Sequence, residues 1–173
     1  VYGPYGRFSE KFLSAERDCI FIGGGIGITP FIGMWHVALH SEERLDLEEV
    51  PEKLRSVHPE IIRTWKSPRV ALFYVCRSTE QAAFDEDVRR EVILSHFHGF
   101  RALAERGHRY ELYLSSIQGR FSVGHLVGSL GAGIVKRNIF LCGPTAMVDS
   151  LVGQLRDLGV PDGQIIVEDF NLV

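Results

Sequence analysis

The stretch that most constrains the fold spans residues 19–30 and reads Cys-Ile-Phe-Ile-Gly-Gly-Gly-Ile-Gly-Ile-Thr-Pro. An apolar run without charges is typical of a parallel strand that is covered on both faces. The glycines that follow allow a sharp turn and the close approach of a ligand to the backbone. Apolar residues then recur at helical spacing from Phe31 to Leu39. Because a helix N-terminus presents unpaired N–H groups and a positive dipole end, this strand–turn–helix unit suits a phosphate.

Two other interpretations of this stretch remain open from the residues alone. Residues 19–39 contain no Asp, Glu, Lys or Arg, and their length fits a transmembrane helix, although the glycines, Pro30 and His36 argue against one. The stretch also fits a tight strand–helix turn that binds nothing. The usual dinucleotide pattern of three glycines is incomplete, because Pro30 stands where the third glycine is expected.

Four further apolar runs predict strands, and helical patterns lie between them. The runs are 70–75, 110–114, 138–142 and 164–167. The alternation predicts an α/β fold, a doubly wound five-stranded parallel sheet in the order 3-2-1-4-5 with helices on both faces. Residues 115–120 are expected to form a loop.

In this strand order, the ligand crevice lies between strands one and four. The glycines at 23–27 and the Cys-Gly-Pro at 142–144 both open on it, while strands two and three end in Arg77 and Arg120 on one side. Sites specific for NAD tend to place an acidic residue at the end of strand two, whereas arginine favours a phosphate. The layout therefore suits a dinucleotide with an extra phosphate on its adenosine end.

Composition narrows the class of protein. The chain has 173 residues, 45% of them apolar and 24% charged, as in a soluble globular domain, and its net charge of −3 gives no reason to expect nucleic acid. Cys19, Cys76 and Cys142 lie far apart in apolar runs, which favours reduced, buried thiols and matches neither a zinc nor an iron–sulfur pattern. His36 and His40 are four apart on a helix, but no third ligand accompanies them, so no metal is predicted.

Three motifs, in this order, resemble the ferredoxin–NADP reductase superfamily over almost the whole chain. They are Gly3-Pro4-Tyr5-Gly6, the glycine stretch at 23–31, and Cys142-Gly143-Pro144. Cys76-Arg77-Ser78 and the ending Glu168-Asp169-Phe170 are most similar to the membrane branch, the ferric reductases and NADPH oxidases.

The resemblance implies a domain organisation. Residues 1–18 would be the link from a missing flavin-binding domain, and residues 19–173 the NAD(P)H-binding domain, with a helical insertion near 41–68. The implied cofactors are NADPH, with NADH as an alternative, FAD on the missing domain, and haem in a missing membrane part. The fragment itself would be soluble, and the whole protein would lie at the cytoplasmic side of a membrane, attached only through the missing part.

The resemblance also implies roles for single residues. Cys142 and Thr29 would lie beside the nicotinamide, and Phe170 would shield the flavin or nicotinamide, so these three are the candidate catalytic residues. Ile117 stands where some members carry a second arginine, which leaves NADH use open. The predicted nucleotide contacts are Gly23, Gly24, Gly25, Ile26, Gly27, Ile28, Thr29, Pro30, Arg77, Ser78, Ser115, Ser116, Arg120, Cys142, Gly143, Pro144 and Met147.

The expected function is to position NADPH for hydride transfer to FAD, after which electrons would pass to haem and on to ferric iron or dioxygen. The isolated chain is expected to be inactive without its FAD domain. Two alternatives remain open. One is the reductase domain of a soluble flavoprotein that feeds an oxygenase or ferredoxin, and the other is a non-catalytic nucleotide-binding interaction module.

Overall fold

The computed structural model describes residues 7–40, 67–90 and 107–168. In chain order, the helices and strands are α1 (Arg7–Leu13), β1 (Cys19–Gly24), α2 (Thr29–His40), β2 (Val70–Cys76), α3 (85–90), β3 (Arg109–Leu114), α4 (Ser115–Gln118), α5 (Val123–Leu130), β4 (Asn138–Cys142), α6 (Thr145–Asp157) and β5 (Ile165–Glu168). Short 3-10 turns lie at Gly25–Ile28, Thr79–Gln81, Ala132–Lys136 and Asp162–Gln164.

The five strands form one parallel sheet in the order β3-β2-β1-β4-β5, which confirms the predicted α/β fold and strand order. The central strand β1 pairs with β2 and β4, so that Cys19 lies opposite both Val70 and Asn138. Every residue of β1 is buried. A strand covered on both faces needs apolar residues at every position, which explains its uninterrupted apolar run.

Helices cover both faces of the sheet, as predicted. On one face, Phe21 of β1 stacks on Phe31 of α2 with ring centroids 5.1 Å apart. On the other face, Ile20 and Ile22 belong to a second core cluster with α5 and α6. The alternation of side chains along β1 sends neighbouring residues to opposite faces, so this one strand belongs to both cores.

Helix α1 lies within residues 1–18, for which the sequence analysis predicts a link from another domain and no helix. Phe8 and Phe12 lie four residues apart and therefore share one face of the helix. Both are 1% exposed, and their rings lie 5.4 Å from Phe31 and 5.3 Å from Phe21, respectively. Burial of these two rings explains why this segment is helical and packs on the domain core.

Residues 115–120 also differ from the prediction of a loop, because Ser115–Gln118 form one turn of α-helix. The side chain of Gln118 folds back, and its Oε1 accepts a hydrogen bond from the Leu114 N–H at 2.9 Å. The Tyr113 hydroxyl donates to the Gln118 carbonyl at 3.0 Å. Gly119 ends the turn with a φ of +79°. These bonds hold α4 against the end of β3.

Strand β5 begins at Ile165, one residue later than predicted, because Gln164 has another role. The Gln164 side chain is 8% exposed, and its amide nitrogen donates to the carbonyls of Val135 at 2.8 Å and Arg137 at 2.9 Å. These carbonyls lie just before β4, so the buried amide fastens the start of β5 to the entry of its neighbouring strand.

The transmembrane interpretation of residues 19–39 is wrong, because the stretch forms a strand, a 3-10 turn and a helix. Within residues 7–40, 67–90 and 107–168, the helices are all too short or too polar to cross a membrane. The motif at 3–6, Phe170 and nearly all of the predicted insertion near 41–68 lie outside the described residues.

Candidate functional site

The carboxyl ends of β1 and β4 lie side by side, and the turns that follow them form a cleft of about 220 Å³. Seven residues from the two turns line it: Gly24, Gly25, Ile26, Gly27, Gly143, Pro144 and Thr145. The structure therefore brings together the glycine stretch and the Cys-Gly-Pro motif, which are far apart in the chain. The carboxyl edge of a parallel sheet, where the strand order reverses, is where such folds bind ligands.

The cleft is electrostatically suited to an anion. The 3-10 turn after Gly24 and the helix α6 after Pro144 both begin here, and neither carries a capping hydrogen bond from a side chain. The first turns of both, and that of α2, contain no acidic residue. Backbone N–H groups at these starts are available to a ligand, and the helix dipoles add positive potential.

The glycines of the first turn have different roles. A Cβ atom on Gly27 would lie 2.6 Å from the carbonyl carbon of Cys142 and 2.7 Å from Gly143 Cα, and one on Gly23 would lie 2.7 Å from Ile28 Cα. These two glycines permit close packing of backbones. Gly25 has a φ of +55°, and a Cβ there would meet no atom within 4 Å. Of the three, Gly25 is therefore the position where a ligand has room to approach the backbone.

The remaining predicted contacts on this side lie behind the cleft. Ile28 is fully buried in the core, while Thr29 and Pro30 are half-buried at the start of α2. Met147 is half-buried in the first turn of α6, where its N–H donates to the Pro144 carbonyl at 2.8 Å. Ile26, by contrast, lines the cleft and is 63% exposed.

The predicted adenosine end is assembled from the ends of β2 and β3. The Ser116 N–H donates to the Arg77 carbonyl at 3.0 Å, which joins α4 to the residue that follows β2. Arg77, Ser116 and Arg120 are exposed, and Ser115 is half-buried. The two arginine side chains thus stand in solvent at the same edge of the sheet as the cleft, beside a 78% exposed Ile117.

An acidic residue to which the sequence analysis assigned no part in binding lies near this end. Hydrogen bonds from the Ser78 and Thr79 hydroxyls lower the pKa of the exposed Glu80. The Thr79 hydroxyl donates to a Glu80 carboxylate oxygen at 3.2 Å. Ser78, a predicted nucleotide contact, therefore lies near this carboxylate.

The predicted nicotinamide end centres on Cys142, the last residue of β4. Its register partners are Gly23 of β1 and Glu168 of β5. The side chain of Cys142 is fully buried in the core beneath α1 and α2. Its implied place beside a nicotinamide ring stays a prediction.

Glu168 is a second residue to which the sequence analysis assigned no role of its own. Burial raises the pKa of this carboxyl, and its Oε2 atom has no hydrogen-bond partner among the residues described. The sequence signal was present, because an acidic residue directly follows an apolar strand. Burial of the apolar side chains of this strand is favourable, whereas burial of an unpaired carboxyl group at its end costs free energy.

The sequence analysis predicts no metal at His36 and His40, and the side chain of His40 lies outside the described part of the structure. No group of three or more His, Cys, Asp or Glu side chains that could hold a metal occurs in residues 7–40, 67–90 and 107–168.

Several known proteins are similar to this chain in sequence or in fold. No protein-family model matches the chain. A component of the Na⁺-translocating NADH-quinone reductase from Neisseria gonorrhoeae is 25% identical over 176 residues, which cover 99% of this chain and 36% of the relative. The corresponding component from Idiomarina loihiensis is 26% identical over 185 residues, with the same coverage of both chains. The chain thus spans little more than a third of the length of these relatives.

Solved structures show the same architecture. The FAD/NAD-binding domain of nitric oxide dioxygenase from Vibrio cholerae has a TM-score of 0.57 at 20% identity, covering 91% of this chain and 52% of that one. A variant of ferredoxin–NADP⁺ reductase from Plasmodium falciparum, in complex with 2′P-AMP, has a TM-score of 0.55 at 12% identity and covers 98% and 58%. The chain therefore has the ferredoxin–NADP reductase-like flavin/NAD-binding fold.

Proposed function

We propose that this chain is the NAD(P)H-binding domain of a flavin-dependent reductase and that its preferred nucleotide is NADPH. The observation that carries the proposal is the cleft between β1 and β4. In this cleft the backbone of Gly25 is open to a ligand, and both the 3-10 turn at Gly25–Ile28 and helix α6 begin there. Neither start has a capping side chain, and neither first turn contains an acidic residue. A diphosphate satisfies such N–H groups and complements the dipoles at the same time.

Different residues of the chain would bind different parts of the nucleotide. Backbone N–H groups around Gly25 and at the start of α6 would bind the diphosphate, and Arg77 and Arg120 would bind the 2′-phosphate. Thr29 and Cys142 would orient the nicotinamide end. Bound NADPH would supply a hydride to the FAD of a separate domain. The protein contributes orientation and electrostatics, while the cofactors carry the redox chemistry.

The proposal also concerns the electron acceptors and the further domains of the whole protein. The motifs at 76–78 and 168–170 support a ferric reductase or NADPH oxidase, in which electrons pass from FAD to haem and then to ferric iron or dioxygen. The coverage of only 36% of the curated relatives is compatible with a flavin-binding domain elsewhere in the same protein. In this arrangement Phe170 would cover the flavin or nicotinamide ring, and any membrane attachment would come from the missing part.

A second candidate is an NADH-linked reductase that feeds another electron acceptor. Glu80 favours it, because a carboxylate suits ribose hydroxyls and repels a 2′-phosphate. Ile117 supplies no charge where a second cation would help NADPH. The curated relatives are named NADH-quinone reductases, which favours the same nucleotide.

Calorimetric titration of the chain with NADPH and NADH separates the two candidates. Loss of one charge-assisted phosphate contact costs about 1.5–3 kcal/mol, which is roughly tenfold to a hundredfold in affinity. Arg77→Ala and Arg120→Ala should each weaken NADPH by about that factor and leave NADH nearly unchanged. Arg156→Ala is the matched control, because this exposed arginine lies on α6 and pairs with Asp162 at 2.7 Å.

Three results would count against the proposal. Equal losses for both nucleotides would show that the arginines hold structure or the shared diphosphate, and the NADPH preference would then be wrong. Tighter binding of NADH by the unaltered chain would select the second candidate. Failure of the unaltered, folded chain to bind either nucleotide at millimolar concentration would contradict nucleotide binding itself.

A further inference from the structure

The tip of one methionine side chain packs against both of the turns that form the cleft. A Cβ atom on Gly24 would lie 2.6 Å from Met147 Cε and 2.8 Å from Met147 Sδ. A Cβ atom on Gly143 would lie 2.7 Å from the same Cε. Carbon atoms in contact stay about 3.5–4.0 Å apart. Met147 therefore occupies the space that side chains on these two glycines would need.

The backbones of the two turns also touch each other directly at two places. A Cβ on Gly143 would lie 3.0 Å from Gly24 Cα, and a Cβ on Gly27 would lie 2.6 Å from the carbonyl carbon of Cys142. The tip of the Met147 side chain, which comes from α6, packs against both glycines of the first contact. Met147 is not among the residues that line the cleft, so it lies behind the backbones that do.

We infer that Met147 is a positioning residue for nucleotide binding, and that its side-chain tip acts as a spacer that holds the turns after β1 and β4 in place against α6. The inference rests on the proposed function, and it changes the role expected of Met147 from a direct contact to a support behind the backbone. The spacing of the turns decides whether N–H groups from both can reach one diphosphate.

The position of Met147 suits this role, because its backbone belongs to a helix that is anchored in the core. It belongs to α6, which is anchored in the core through the neighbouring Val148 and through Leu151, 3% and 0% exposed. Methionine is long and flexible enough to fill an irregular gap. Gly24 and Gly143 have no side chains with which to fill the space themselves. If the tip were removed, the turns would be free to shift into the void.

A double-mutant cycle tests the spacer. Gly24 has a φ of −96° and a ψ of 115°, which alanine adopts without strain, so the cost of Gly24→Ala comes from the overlap with the tip of Met147 and with Pro144. Met147→Ala leaves the opposite defect, a void. The double variant Gly24→Ala/Met147→Ala should therefore bind NADP⁺ more tightly than Gly24→Ala alone.

A comparison of two ligands distinguishes a change in the position of the turns from a general loss of structure. Met147→Ala should weaken NADP⁺ about tenfold, whereas adenosine 2′-monophosphate, which carries no diphosphate, should change less than about twofold. Met147→Leu should restore NADP⁺ binding to within about threefold of the unaltered chain, because it restores most of the volume. Val152→Ala is the matched control, because it truncates a half-buried residue further along the same helix.

The outcomes distinguish this inference from the proposed function. A double variant that shows the product of the two single losses would mean that Met147 and Gly24 act independently, and the spacer role would be wrong. Equal weakening of both ligands by Met147→Ala would also overturn it. If the unaltered chain bound no nucleotide, the proposed function would fail first. The same cycle, measured on the free energy of unfolding, would then decide whether the tip and Gly24 compete for one space.

Discussion

Substitution by alanine should have different effects at Gly25 and Gly27, which lie two residues apart. A methyl group on Gly27 would press against the backbone of Cys142 and Gly143, with separations of 2.6 and 2.7 Å that neither side can relieve by rotating a side chain. A methyl group on Gly25 would meet no atom within 4 Å and would only strain a φ of +55°. Alanine should therefore cost stability at Gly27 and ligand binding at Gly25.

The magnitudes follow from these contacts. Overpacking a closely packed site costs about 1–3 kcal/mol, and Gly27→Ala should lie at the upper end because both partners are backbone. A left-handed φ costs an alanine about 1–2 kcal/mol, so Gly25→Ala should lose about 1 kcal/mol. The Gly25 methyl would occupy the cleft side of the turn and keep a diphosphate from the N–H groups. Its expected loss of NADP⁺ affinity is therefore at least tenfold, or about 1.4 kcal/mol.

Urea denaturation and NADP⁺ titration of both variants measure the two effects. Gly153→Ala is the control, since a Cβ there meets no atom within 4 Å and the residue lies inside α6. This variant should gain about 0.5–1 kcal/mol, because alanine favours a helix over glycine. The reasoning is refuted if Gly25→Ala destabilises as much as Gly27→Ala, or if it leaves NADP⁺ affinity unchanged.

Three further predictions concern buried polar groups. Because burial raises the pKa of Glu168, its stabilising contribution is present at acid pH and is lost as pH rises through the folded-state pKa, so Glu168→Gln should raise the melting temperature at pH 7 but not at pH 4. Gln164→Ala would remove the buried amide that donates to the Val135 and Arg137 carbonyls and should cost about 1–3 kcal/mol by urea denaturation. Cys19, Cys76 and Cys142 are buried, and burial raises the pKa of Cys19 to about 12 and raises that of Cys76, so a disulfide reagent at pH 8 should label none of them until denaturant is added.

Much of the architecture was readable from the sequence because it depends on local patterns and on general rules of chirality. Uninterrupted apolar runs such as residues 19–22 identify strands buried on both faces, and their alternation with helices demands a parallel sheet. The strand order then places the turns after β1 and β4 on one crevice. The structure has this order and this cleft.

The sequence prediction missed helix α1 and the turn at Ser115–Gln118 because each depends on distant or specific contacts. The helical form of α1 is explained by Phe8 and Phe12 packing on rings of β1 and α2. The turn is held by the side chain of Gln118, which replaces a backbone partner for Leu114. In α1 the only periodic signal from these contacts is the single Phe8–Phe12 pair in a seven-residue helix, and the Gln118 bond leaves none.

The positions of glycines at the ends of β1 and β4 can be predicted from the order of amino acids, but the role of each glycine depends on the packing around it. Gly25, Gly27 and Gly24 look alike in the sequence, yet the first is open, the second touches backbone and the third faces the tip of Met147. The difference comes from segments that are distant in the chain and meet only when β4 pairs with β1. A glycine's role is set by what would collide with its missing side chain, and that is a property of the packed fold.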